Sequence, residues 1–116
     1  MTYELVIDCL GDDCFAELLG DHAVPVAGVM AKRDYPSMSI ARGRMLWKLS
    51  YVPAKALWDE LMPPALAHLK AHGIGLIQSI VNEPTFRAVH SKHGWRDTGR
   101  RALFGRHEVW VIEREV

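Results

Sequence analysis

The sequence has no apolar run approaching the roughly 18 residues that a membrane-spanning helix needs, so no such span is expected. Lys and Arg are absent from the first 31 residues. A secretory signal or transit peptide carries basic residues there, so "MTYELVIDCLGDD" is not expected to be one. Cysteine is scarce, with Cys9 and Cys14 alone. Two cysteines make no disulfide scaffold, and a domain of this size needs no staple. Both are therefore expected as reduced thiols, in a reducing compartment such as the cytoplasm of a cell or host. As nucleophiles they would each need a partnered base, and inert buried thiols are the default. Glycine is absent between Val52 and Gly73, and carboxylates are absent from residues 45–52. No internal repeat or low-complexity tract occurs.

What remains is the composition of one globular domain. The 116 residues are 49% hydrophobic and 24% charged, with zero formal net charge. The charge is unevenly placed. Residues 1–31 carry Glu4, Asp8, Asp12, Asp13, Glu17 and Asp21, whereas residues 86–106 carry Arg87, Lys92, Arg96, Arg100, Arg101 and Arg106 against Asp97. Such asymmetry suits either an anionic partner or two solvated surfaces that face each other. Trp95, Phe104 and Trp110 interleave with the arginines, as on surfaces for single-stranded nucleic acid. A pI near 7.0 falls short of a basic binding domain, and nucleic acid is not expected.

The hydrophobic pattern predicts strands over 3–10, 14–19 and 23–32, with turn residues at Gly11–Asp13 and Gly20–His22. Residues 35–44 read as a polar loop. "MLWKLSYV" (45–52) alternates like a strand, with Met45, Trp47, Leu49 and Tyr51 on one side. The period then becomes helical. Pro63-Pro64 cannot lie inside a helix without breaking or kinking it, so two helices are expected, over 54–62 and 64–72. Gly73 is a natural stop. "IGLIQSIV" (74–81) has strand length, and a helix of about ten residues follows before Gly94. One or two strands close the chain. Strands followed by helix–strand units give a mixed sheet with helices packed on it, an α/β domain.

This order resembles the GNAT superfamily of N-acetyltransferases. "CFAELLGDHAVPVAGVM" is similar to that family's second and third strands. "LWKLSYVP" is similar to its fourth strand, "ALAHLKAHGIGLIQSIVNE" to the helix and strand after it, and "FRAVHSKHGW" to its last helix, with Trp95 where Phe is usual. The resemblance implies a GNAT-like mixed central sheet with flanking helices. It also implies acetyl-CoA as cofactor and transfer of an acetyl group to an amine. The cofactor would lie on Leu49, Tyr51, Val52, Lys55, Ala56 and Leu57. Its thioester carbonyl would sit near a fourth-strand bulge at 49–52, and amides of 54–58 would face the pyrophosphate. His90 falls where the family keeps a general-acid Tyr, and Glu83 is the nearest carboxylate for a base.

Two departures set limits. The family's pyrophosphate turn is rich in glycine, and here "VPAKALWDELMPP" has none, so the motif is degenerate. The family also places two helices between its first two strands. Here only "GDD" stands there, so the N-terminal helices are reduced or absent. A second copy or another protein partner would then cover the exposed strands. Trp47, Trp58 and Met62 are candidates for that interface or for the core. A looser resemblance, to acetyltransferase-like internal virion proteins of short-tailed phages, implies a catalytically inactive scaffold.

The histidines complete the reading. His68 and His72 lie one helical turn apart, a metal-ligand spacing. "HLKAH" lacks the metalloprotease Glu, and no cysteine or acidic ligand is expected beside the histidines, so no metal is expected. His90 and His93 form a second near pair. His93 is expected to face solvent.

Overall fold

A computed structural model describes residues 2–33, 40–81 and 84–116. Strands β1 (Glu4–Leu10), β2 (Asp13–Leu19), β3 (Pro25–Arg33) and β4 (Ile40–Lys48) form an antiparallel meander. A helical segment follows, then β5 (Leu76–Val81), helix α2 (Pro84–Lys92), β6 (Arg96–Phe104) and β7 (His107–Glu115). The seven strands form one sheet in the order β1-β2-β3-β4-β5-β7-β6. Only β4 and β5 run parallel, because the helical segment between them is a crossover. The expected mixed α/β sheet is present.

The chain between β4 and β5 departs from expectation in an instructive way. The sequence predicts two helices separated at Pro63-Pro64. The structure has a π-helical turn, Ala56–Leu61, running straight into α1 (Met62–Ala71). In an α-helix the amides of residues 63 and 64 would bond the carbonyls of Asp59 and Glu60, and prolines have no N–H to give. Their rings also crowd the preceding turn. The wider π turn absorbs this, and Met62 N–H reaches back five residues to the Leu57 carbonyl. The prolines then occupy the first turn of α1, where a missing N–H costs little.

β4 also differs. It covers Ile40–Lys48, not 45–52. The alternation at 45–48 is real, but the strand extends backward through Arg42-Gly43-Arg44. It ends early because Leu49 N–H makes a last bond to the Val26 carbonyl (2.9 Å) and Val52 N–H then turns back to the Leu49 carbonyl (3.0 Å). Pro53 has no donor to continue a ladder. Pro25, by contrast, is the first residue of β3, a place where proline is tolerated.

One sheet face packs on the helical segment. Small residues on the strands (Ala16, Ala27, Ala31 and Ala41) are buried and let Leu57, Leu61, Leu66 and Leu69 approach closely. Each such leucine contributes about 1.5–3 kcal/mol by leaving water. Trp58 and Met62 belong to this core. Trp47 does not: its indole lies across Gly28, where an added Cβ would meet Nε1 at 2.6 Å. Among the described residues, no helix is long and apolar enough to cross a membrane.

Candidate functional site

β4 and β5 pair at three positions: Ile40 with Leu76, Ala41 with Ile77 and Arg42 with Gln78. Beyond Gly43 they separate. β4 continues along β3 to Lys48, and β5 continues along β7 to Val81. The split begins where Gly43 faces Ser79, at a spacing that would bring a Cβ within 3.1 Å of Ser79 Oγ. A bulge sits at the same place. Met45 pairs with Met30 and Gly43 with Ala31, which leaves Arg44 as the extra residue of β4. The expected bulge at 49–52 is thus corrected to 43–45, because residues 49–52 form the turn out of the strand.

The helical segment starts at Ala54, five residues after Leu49, so its N-terminus lies beyond the diverging end of β4. The first amides of a helix have no intrahelical partners and carry its positive pole. Ala56 N–H is already bonded to the Pro53 carbonyl (3.0 Å), so Ala54 and Lys55 offer the leading amides. The six residues expected to hold a cofactor divide in two. Leu49, Tyr51 and Lys55 are exposed at the surface, Tyr51 at 64%. Val52, Ala56 and Leu57 point into the core and can contribute backbone only.

His90 is half-buried at the end of α2. Its ring meets Trp58 edge-on at 5.1 Å and Trp95 edge-on at 5.4 Å. His93 does not face solvent. It stacks flat on Trp58, with centroids 4.3 Å apart and planes 4° apart. Trp58 arrives from the π turn, so nothing local in "HSKHGW" announces this contact. The His90 carbonyl accepts from both His93 and Trp95 N–H, and Gly94, at φ +89°, closes the helix there. The aromatic box therefore fixes His90 beside the π turn. Glu83 lies outside the described residues.

Three arginines of the C-terminal third form ion pairs at the surface. Arg87 pairs with Asp97 (3.3 Å), Arg96 with Glu113 (3.0 Å) and Arg101 with Glu108 (3.3 Å). Arg87 and Arg101 also lie over the Trp110 ring, at 5.3 and 5.6 Å. Gln78, Glu113 and Arg96 form one row across β5, β7 and β6. The hydrogen bond from Gln78, with help from Arg96, holds the Glu113 carboxyl below its usual pKa.

Two expectations about cysteine and histidine need correction. Cys9 and Cys14 form a disulfide. They are directly opposite in the β1–β2 hairpin, on the face that meets α1, so the fold brings the sulfurs together without a separate staple being needed. The signal lies in "CLGDDC", a tight hairpin whose ends are both cysteine. And a cysteine does stand beside His68 and His72: the ligand atoms of Cys9, His68 and His72 lie within 4.8 Å of one another.

No protein-family model matches the sequence, and no curated protein matches it. Solved structures do match its fold. A nourseothricin acetyltransferase superposes with a TM-score of 0.72 at 12% identity, over 97% of this chain and 84% of that one. A GNAT-family acetyltransferase from Staphylococcus aureus gives 0.71 at 13% identity, over 89% and 68%. A provisionally named streptothricin acetyltransferase from Bacillus anthracis, solved with acetyl coenzyme A, gives 0.74 at 11% identity, over 90% and 63%. The chain therefore has the GNAT fold, in reduced form. The two-residue turn Gly11–Asp12 between β1 and β2 leaves no room for helices there.

Proposed function

We propose that the protein binds acetyl-CoA in the wedge between β4 and β5 and transfers the acetyl group to an amine. The carrying observation is the divergence of those strands after three paired positions, with a helix N-terminus beyond the open end. Separated strand edges suit an extended ligand that contains amides, because it can hydrogen-bond to backbone as an added strand would. The leading amides of Ala54 and Lys55, with the Lys55 ammonium, suit a pyrophosphate. The similarity to a structure solved with acetyl coenzyme A supports the same cofactor.

The chemistry needs two proton transfers. The amine must lose a proton as it attacks the thioester carbonyl, and the departing thiolate must gain one. His90, held beside the π turn by Trp58 and Trp95, serves as the acid. β4 carries no carboxylate, so Glu83 or a water takes the base role. The wedge and its backbone would hold and orient the cofactor, and position is the main contribution such a site makes. A cytoplasmic setting, where acetyl-CoA is made and used, fits this reading.

Calorimetry tests it. Saturable binding of acetyl-CoA is expected, weakened roughly three- to tenfold by Lys55→Glu, a change at an exposed position. Absence of heat at millimolar acetyl-CoA would overturn the proposal.

A second reading has its own observation. Phe15, Met30 and Met45 are register partners in one row across β2, β3 and β4, and Met30 (39%) and Met45 (53%) are exposed. No helix covers that row among the described residues. An apolar row of this kind suits a second copy or a protein partner, and the chain would then act as a scaffold, as in a phage virion. Met30→Glu, on β3 and outside the wedge, is expected to abolish self-association or capture while leaving acetyl-CoA binding intact. Unchanged association would exclude this face.

A further inference from the structure

The cluster of Cys9, Cys14, His68 and His72 is not used by the acetyl-transfer reading. Two rigid elements build it. The β1–β2 hairpin places Cys9 and Cys14 opposite each other, and α1 places His68 and His72 one turn apart. Cys14 and His68 line the same small cavity beneath α1, about 20 Å³ in volume, together with Ala65 and Leu69. The ligand atoms of Cys9, His68 and His72 already lie within 4.8 Å of one another.

We propose that reduction of the Cys9–Cys14 disulfide converts this cluster into a four-ligand site for a soft divalent cation, zinc above all. Two thiolates and two imidazoles are the donor set of closed tetrahedral zinc sites. The histidine states fit. His72 Nδ1 lies 2.9 Å from the His68 carbonyl, and a carbonyl can only accept. Nδ1 therefore carries the proton, and Nε2 keeps its lone pair, as in metal sites whose histidines are oriented by a second hydrogen bond. His68 Nε2 is buried with no hydrogen-bond partner, which a cation would supply. Arg33 caps the His72 carbonyl, and the Asp8 carboxylate accepts from the Cys9 N–H.

Tetrahedral zinc sets its donors about 3.3–3.8 Å apart. The covalent S–S bond occupies the cysteine electron pairs the metal needs, so it excludes the metal, and the ligand atoms, now within 4.8 Å of one another, draw together as the cation binds. The step balances with a dithiol reductant. The protein disulfide takes two electrons and two protons and becomes two thiols, and the dithiol becomes a disulfide. The cation then displaces both thiol protons. Cys9 and Cys14 would be a disulfide staple in oxidising surroundings and, with His68 and His72, a zinc clasp in reducing ones.

Cobalt(II) reports on such a site by its visible tetrahedral bands and its thiolate charge-transfer band. The reduced full chain, freed of reductant, is expected to take up one equivalent of cobalt with both features, and zinc should bleach them. The oxidised chain should show neither. His72→Gln, at an exposed position, should weaken cobalt binding at least tenfold, and Cys9→Ser should lower the charge-transfer band. Should reduction loosen the fold, added zinc is expected to restore the melting temperature of the wild type and not of His72→Gln. Absence of the bands in the reduced chain, equal uptake by the oxidised chain, or unchanged binding by His72→Gln would each overturn the proposal.

Discussion

Gly28 is fixed by a neighbour 19 residues away. The Trp47 indole lies over it, and an alanine Cβ would stand 2.6 Å from Nε1. Gly28→Ala is therefore expected to lower stability by about 1–3 kcal/mol, measured by urea unfolding, as the ring is forced off. Glu113 is governed by Gln78 and Arg96, whose contacts lower its pKa in the folded state. The sign follows from linkage. A depressed carboxylate stabilises the fold fully above its unfolded pKa and loses that contribution as pH falls through the lower folded value. Glu113→Gln should thus cost about 0.5–1 kcal/mol at neutral pH, and the gap to wild type should close as the pH falls through the lowered pKa of the folded carboxyl. A gap that persists in acid would show that the carboxylate charge is not responsible. Such residue-level facts were hidden in the sequence. "VAGVM" shows a strand glycine, but the partner that requires glycine is set by register with β4. His93 reads as a solvent residue because its stacking partner, Trp58, belongs to a different element.

At the scale of elements, the two prolines and the two cysteines show how local rules are bent by their surroundings. Pro63-Pro64 announces a break. The chain answers with a π turn, because Leu57, Trp58 and Leu61 before it and Leu66 and Leu69 after it share one buried face that a true break would misalign. Periodicity alone carries this helical face, whereas the π geometry has no sequence signal beyond the prolines. Trp58→Ala is expected to cost about 3–5 kcal/mol, to free His93 from its stacking partner and to leave His90 with Trp95 alone, visible as shifted imidazole resonances. The hairpin disulfide closes a loop with a sequence separation of 5. Chain entropy puts its contribution at roughly 2 kcal/mol, so Cys9→Ala with Cys14→Ala should lose about that much in oxidised protein. The limits of β4 are hidden in the sequence, since Arg42-Gly43-Arg44 look like a loop and become a bulge only beside a splitting sheet.

The whole molecule is a sheet with one covered face and one wedge. The order of its elements was legible from the change in hydrophobic period, and the absence of helices between β1 and β2 from the three residues "GDD". The wedge was not legible. It depends on β4 and β5 pairing at three positions and no further, which is a property of the assembled sheet. The candidate site inherits that division: Lys55 and the helix start were visible in the sequence, while the burial of Val52, Ala56 and Leu57 was not. The decisive measurement is therefore of place as well as of binding. In a two-dimensional amide NMR titration with acetyl-CoA, the shifts are expected to gather on residues 44–48 of β4, on 79–81 of β5 and on Ala54 and Lys55. No shifts at millimolar acetyl-CoA, or shifts gathered on another surface, would contradict a cofactor wedge between β4 and β5.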